Sequence, residues 1–351
     1  MTTTNTTQSK ITTSPLLLEA VVILVAVLGT SMVNIDTTAV NVALPSIQQS
    51  FGLDIGGVQW IVDSFLLTIA TLLLITGALG DLYGRVHITS LGAIIFSIAS
   101  LVSGLAPSFE VLLVSRTVQG IGGALLAPGG LAIINAIVAP ERRSRLLGRW
   151  VTLTTMVIAL GPLLGGWLVD NVSWRFLFFI NVPLGILCFV VARRFIPESR
   201  DEDAANKSLD WPGAIALTIG LGGLLFVLIE GSRFGWTSSL ILGMCGASII
   251  GLCAFVAIEQ YSPNPMLPLR FFQNRTFTGI NLLTAIYFMA FGGQLFFLTL
   301  NLLQVQGFSA FATGLSILPV TIAIFALGTP SGILTDHWGP RPMIIIGILI
   351  T

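Results

Sequence analysis

Charge is what this chain has least of. Charged residues fill 9% of its 351 positions, against about a quarter in an ordinary soluble domain. Such a chain cannot cover a water-facing surface. Lysine is nearly missing, with only Lys10 after Ser9 and Lys207 after Asn206. A phosphate-cradling loop needs Gly-Lys followed by Ser or Thr. Neither lysine fits, which excludes ATP hydrolysis by these residues. There are two histidines and three cysteines. No HExxH pair, metal-ligand cluster or Ser/His/Asp signature occurs, so no enzyme activity, metal or cofactor is expected. Cys188, Cys245 and Cys253 fall inside apolar runs and read as small apolar residues. Net charge is zero, so bulk charge points to no partner, and no nucleic acid is expected.

What is present is apolar sequence in long runs. Hydrophobic residues make up 54% of the chain, and the runs recur at the roughly 20 residues needed to span a bilayer. Spans are expected at 16–39, 58–80, 86–106, 110–138, 146–169, 175–195, 212–231, 238–258, 276–303 and 311–334, with an eleventh beginning near 342. With the N-terminus inside, thirteen Lys and Arg fall on the inner side. Only Arg175 and Arg233 fall outside, and Arg116 lies within a span. Short loops rich in cations stay cytoplasmic, so this bias orients the chain. The Thr/Ser-rich residues 1–15 read as a disordered tail without signal-peptide layout.

Two loops repeat. "GALGDLYGR" (77–85) follows span 2, and "GILTDHWGPR" (332–341) follows span 10. Gly77, Asp81 and Gly84 are spaced as are Gly332, Asp336 and Gly339, and both runs end in Arg, Arg85 and Arg341. The offset of 255 residues corresponds to eight spans rather than the six of a plain repeat of six-helix bundles. Such repeats are a mark of transporters. The expected organisation is a first bundle over 16–195, a polar cytoplasmic linker over 196–211, two extra helices over 212–258 and a second bundle over 276–351. On this arithmetic the second bundle stops within its third helix, and an incomplete sequence is the expected reason.

"VIALGPLLGGWLV" (157–169) sets Pro162 and three glycines in an apolar run. In a soluble helix these would cost about 1 kcal/mol per Gly and about 3 for Pro. In lipid, close backbone approach at small residues drives packing, and Pro162 bends the helix. Gly161 and Gly165 form a small-xxx-small pair, widened by Gly166. One reading is ordinary tight packing. The other is a bent, flat face at the seam between bundles.

These stretches resemble the major facilitator superfamily, and within it the fourteen-helix drug:proton antiporter branch. "GALGDLYGR" is similar to the loop after helix 2. "RTVQGIGGALLAP" (116–128) is similar to the helix 4 motif, with Arg116, Gln119 and Gly120 in place. "GPLLGG" (161–166) resembles the antiporter motif of helix 5. "DTTAVNVALP" (36–45) and "LLQVQGFSAFATGLSILP" (302–319) resemble the branch's helix 1 motif and its entry to helix 10. Leu82, Val86 and His87 stand where the family often has Arg or Lys, and Phe65 where it has Tyr. The resemblance implies an all-α integral membrane fold of two six-helix bundles with two helices between them. It implies proton-coupled efflux of amphipathic small molecules by a monomer embedded in the bilayer. It places the proton-linked acid on Asp36 and the helix 4 arginine on Arg116. Rival functions are an importer or uniporter, or a non-transporting membrane enzyme or scaffold.

Asp36, Asp63 and Arg116 lie within expected spans. A charge at the bilayer centre costs at least about 2.5–3.5 kcal/mol, so it is paired or wet. The three are expected in the outer half at compatible depths, as a proton switch. The alternatives are interfacial exposure of both acids beside a loop at 46–57, and a tie from Arg116 to backbone carbonyls. Glu230 reads as an outer-surface residue paired with Arg233. Phe288, Phe291, Phe296 and Phe297 line a cargo cavity or face lipid and packing neighbours.

Overall fold

The computed structural model describes residues 15–200, 210–263 and 265–350. The tail expected at 1–15 falls outside them except for its last residue, as do positions 201–209 of the linker and with them Lys207. Helix is the regular structure throughout the described residues. In chain order the helices are α1 (Pro15–Phe51), α2 (Ile55–Tyr83), α3 (Arg85–Leu105), α4 (Phe109–Leu126), α5 (Gly129–Ile137), α6 (Pro140–Asn171), α7 (Phe176–Phe179) and α8 (Asn181–Phe195). They continue with α9 (Trp211–Phe234), α10 (Ser239–Tyr261), α11 (Arg275–Leu300), α12 (Ala310–Trp338) and α13 (Pro340–Ile350). Among the described residues, nine helical stretches are long and apolar enough to cross a membrane. The expected tenth and begun eleventh spans coincide with α12 and α13.

The differences from expectation lie at interruptions. The loop expected at 46–57 shrinks to Gly52–Asp54, because α1 continues through Pro45 to Phe51. A proline inside a membrane helix is tolerated where neighbours re-satisfy the freed backbone. Here Val42, Ala43, Leu44 and Ile47 are all buried around it. The fourth span breaks at Ala127–Pro128 and the sixth at Ile180, and α11 runs into a wide π turn at Asn301–Val305.

α1 packs on α6 and α8, α3 on α4 and α8, and α2 on α4. Two buried clusters stack along these helices. One contains Val22, Met32, Phe65, Phe96, Leu126 and Ile133. The other contains Ala39, Leu44, Ile61, Leu112, Trp174 and Phe178. α9 and α10 form a tight pair, and α9 leans on α2. Their contact is made of small residues: a side chain at Gly251 would meet the backbone of Gly220 at 2.7 Å, and Ser248 Oγ donates to Gly220 O at 2.7 Å. α12 packs on α6, whereas α11 is largely exposed.

Candidate functional site

The boundary between the two stacked clusters is where charge is buried. Asp36 falls between Met32 of one cluster and Ala39 of the other. Asp36 and Arg116 are each 1% exposed, and Arg116 Nη1 donates to Asp36 Oδ2. The same Nη1 donates to Gln119 Oε1 at 2.8 Å. Gln119 Nε2 in turn donates to Asp36 Oδ1 at 2.8 Å and to Ser100 Oγ at 2.7 Å. Asn181 Nδ2 completes the ring, 3.3 Å from Ser100 Oγ and 3.5 Å from Asp36 Oδ1. Three helices, α1, α4 and α8, thus meet at one carboxylate, and α3 joins them through Ser100, which accepts from Gln119 and Asn181. Arg116 and Gln119, three residues apart on α4, share a helix face.

Two further contacts steady the guanidinium. Its Nε donates to Ile61 O at 3.0 Å, so the carbonyl tie weighed above holds alongside the ion pair. Its carbon lies 4.2 Å from the centre of the Phe65 ring, a cation–π distance. Phe65, where the family has Tyr, is therefore an apolar lid on the arginine.

Interfacial exposure of Asp36 is overturned. With α1 extended to Phe51, Asp36 lies fifteen residues from the helix end, or about 22 Å at 1.5 Å per residue. Asp63 stays apart from the cluster. Its depth agrees, since Ile61 two residues earlier receives Arg116. Its face does not, because two residues turn a helix by about 200°. Asp63 is half-buried, and its Oδ2 is without a hydrogen-bond partner.

The glycine-rich stretch of α6 has two faces rather than one. A side chain at Gly161 would strike Thr38 Oγ1 at 2.2 Å, and one at Gly165 would meet Ala39 at 2.9 Å, both on α1. Gly166 is the residue that meets α12, where a side chain would lie 2.5 Å from Ala310 O. From the other side, one at Gly314 would lie 2.5 Å from Pro162 O. The expectation that Gly161 and Gly165 face the seam is corrected: they fasten α6 to α1, and Gly166 and Pro162 face α12. Asp170 adds a polar clasp by accepting from Phe311 N–H at 2.9 Å.

At the opposite end of α2 the motif loop is a single residue. Gly84, at φ 108°, joins α2 to α3 directly, a conformation that favours glycine. Arg85 pairs with Asp81 at 2.9 Å. Glu198, just past α8, accepts from the N–H groups of Val86 at 3.0 Å and His87 at 2.9 Å. Arg85 N–H donates to Ser199 O at 3.0 Å. Gly77 has open space around it. The repeat has the same joint: Gly339, at φ 80°, is the single residue between α12 and α13. Arg341 is exposed, while the surroundings of Gly332 and the side chain of Asp336 lie outside the described residues. In the helix 4 motif, a side chain at Gly120 would meet Phe65 O at 2.7 Å, so α4 touches α2 there.

Glu230 is not a surface residue. It is 2% exposed. It accepts from the Trp60 indole, with Arg233 Nη1 at 3.6 Å. The four phenylalanines of α11 divide: Phe288 and Phe297 are exposed, Phe296 packs on the second cluster and Phe291 stacks on Tyr287.

The profile of the Major Facilitator Superfamily matches residues 26–351. The chain belongs to that superfamily. It is 34% identical over 322 residues to the multidrug resistance protein Stp of Mycobacterium tuberculosis, covering 92% of this chain and 60% of that protein. It is 32% identical over 330 residues to the tetracenomycin C resistance and export protein of Streptomyces glaucescens, covering 94% and 61%. The chain therefore spans about three fifths of the length of these relatives. Among solved structures, a mutant of a peptide transporter shares the fold at a TM-score of 0.62 and 17% identity, covering 91% of this chain and 68% of the other. This facilitator chain is a multi-pass membrane protein.

Sequence reasoning missed Ser100, Asn181, Gly314, Asp170 and Glu198. Asn181 carried a usable signal, a lone amide amid the apolar run "WRFLFFINVPLG" (174–185). Gly314 carried none, since its meaning depends on which helix faces it.

Proposed function

We propose that the whole protein is a secondary exporter that moves small amphipathic molecules out of a bacterial cell in exchange for protons. One observation carries this reading: the buried Asp36–Arg116 pair closed by Gln119. A charge-poor chain retains few ions in its interior, and those that face a bundle interior mark proton or substrate pathways. Arg116 and a proton compete for the same carboxylate of Asp36. Proton arrival at Asp36 would break the pair and free Arg116 from one partner. Proton departure would restore it. If cargo binding and protonation of Asp36 exclude each other, proton entry drives cargo exit.

The glycine-lined contact of α6 with α12 supports a bundle seam that closes one end of the pathway. The two single-glycine joints, Gly84 and Gly339, support a role for these loops at the other end. The charge bias supports placing those joints and the N-terminus in the cytoplasm. The domain reading remains a first bundle over 16–195, a linker over 196–211, added helices over 212–258 and a second bundle from 276, acting as a monomer in the bilayer. The resistance and export names of the relatives support drugs or similar compounds as cargo. Transport then needs no chemical conversion of the cargo, so no catalytic residue is assigned.

The test is substrate-induced proton release from the purified full-length protein, with substrates first chosen by efflux from a pump-deficient host. The parent should release protons on binding cargo, and Asp36→Asn should release fewer. Equal release from both would move the carrier elsewhere, first to Asp63.

A further inference from the structure

We infer that Glu230, on the first of the two added helices, is a second proton-binding site of this protein, held by Trp60 and lining a cavity shared with Asp54 and Gln59. The inference extends the antiport reading, but its test is read without transport, so the two fail separately.

Glu230 is as deeply buried as Asp36, and the mechanism above does not use it. Its two oxygens have different surroundings. Oε1 accepts from the Trp60 indole. Oε2 is buried and has no hydrogen-bond partner. Its nearest cation is Arg233 Nη1 at 3.6 Å. That guanidinium is half-exposed and shared with Asp54, 3.9 Å away. Beside the carboxyl lies a cavity of about 460 Å³ lined by Gln48, Asp54, Gln59, Ile229, Glu230 and Arg233. The site is therefore a buried acid with one oxygen fixed and the other unpartnered, at the wall of a cavity whose other lining side chains include Gln48, Asp54, Gln59 and Arg233.

Each element around it contributes identifiable groups. α9 brings Arg233. α2 brings Gln59, Trp60 and, just before its start, Asp54, whose Oδ1 is occupied by Gly57 N–H at 2.7 Å. α1 brings Gln48. α10 brings no acid or cation to this end, because Glu259 lies at its other end. Arg233 in the cavity wall disfavours an organic or metal cation there. A proton adds without displacing it. The step is simple: a proton leaves a hydronium ion of the adjoining water, an O–H bond forms at Oε2, and Oε1 keeps the indole bond as a carbonyl oxygen. Gln59, four residues before Asp63 on α2, lines the same cavity.

Trp60 supplies the readout, because a neutral carboxylic acid and a carboxylate affect indole emission differently. The full-length protein in lipid vesicles is titrated from about pH 4 to about pH 9, a range that covers exposed and buried carboxyl groups. The emission due to Trp60 is the difference between the parent and Trp60→Phe. We expect that difference to titrate, and Glu230→Gln, which keeps an acceptor for the indole, to lose the titration. Glu230→Asp should keep a titration with a displaced midpoint, and Asp63→Asn should leave it in place. A parent difference signal that stays flat would make Glu230 a structural ion pair and overturn the proposal. Persistence of the full titration in folded Glu230→Gln would overturn it too and assign the proton to Asp54 or Asp63.

Discussion

At Arg116 one side chain does three jobs: it pairs with Asp36, it bonds Gln119, and it ties α4 to the Ile61 carbonyl. Removing one partner of a buried pair costs about 3–5 kcal/mol, since the other charge is left uncompensated. Arg116→Ala should therefore lower the unfolding midpoint of the purified protein sharply. Arg116→Lys keeps the charge but lacks the planar fork, so it should fall between Ala and the parent. Asp36→Asn should behave differently. It keeps the size and one acceptor oxygen but leaves Arg116 without its anion, so stability should fall as well, by less than in Arg116→Ala, while the protein that still folds loses gradient-driven export. Downhill exchange of cargo across vesicles should persist, and a mutant that still concentrates cargo uphill would remove Asp36 from the coupling path. The sequence showed which charges would matter, because any ion in an apolar run must be explained. It could not show how they pair: Asp63 has the right depth and the wrong face, and Ser100 and Asn181 become ligands only once α3 and α8 lie beside α1.

At the scale of an element, α6 shows what the sequence conveys and what it withholds. The glycines announced close packing, since small residues let backbones approach, but a glycine does not name its neighbour. The structure sends Gly161 and Gly165 to α1 and Gly166 to α12, so substitutions one position apart should fail in different ways. Gly165→Leu should damage the first bundle itself, with an overpacking cost of about 1–3 kcal/mol read as lost thermal stability. Gly166→Leu should leave that bundle folded and reduce efflux, and a disulfide between cysteines placed at Leu163 and Gly314 should form less readily in it. Comparable thermal losses in both variants would erase the distinction. The start of α3 allows a second test. Glu198 satisfies two of the orphan donors there, and losing a cap costs about 0.5–2 kcal/mol. Glu198→Ala should raise amide exchange over the first turn of α3, at residues 85–89, with little change at the far end of that helix.

For the whole molecule, the order of the membrane-length spans was legible from apolar length and turn residues, but the breaks at Ala127–Pro128 and Ile180 were not. Nor was the run past Pro45, because a proline reads as a stop until buried neighbours enclose it. The charge bias makes an overall statement that cysteine labelling can check. In a background lacking the native cysteines, a membrane-impermeant thiol reagent applied to intact cells should modify Asn171→Cys, at the exposed end of α6, and spare Glu141→Cys at its start. The reverse pattern would invert the molecule.

The α9–α10 pair leans on α2 through α9 and turns back on itself through Gly235–Ser238. A hairpin of this kind crosses the bilayer an even number of times, so the chain re-emerges on the face it left. On the proposed division into two bundles, α11 therefore starts from the same side as it would without the pair, and the helices after it keep their orientation. One added span would turn everything after it upside down. The arithmetic of sidedness thus permits this architecture to grow between its halves only by pairs, whatever the pair goes on to do.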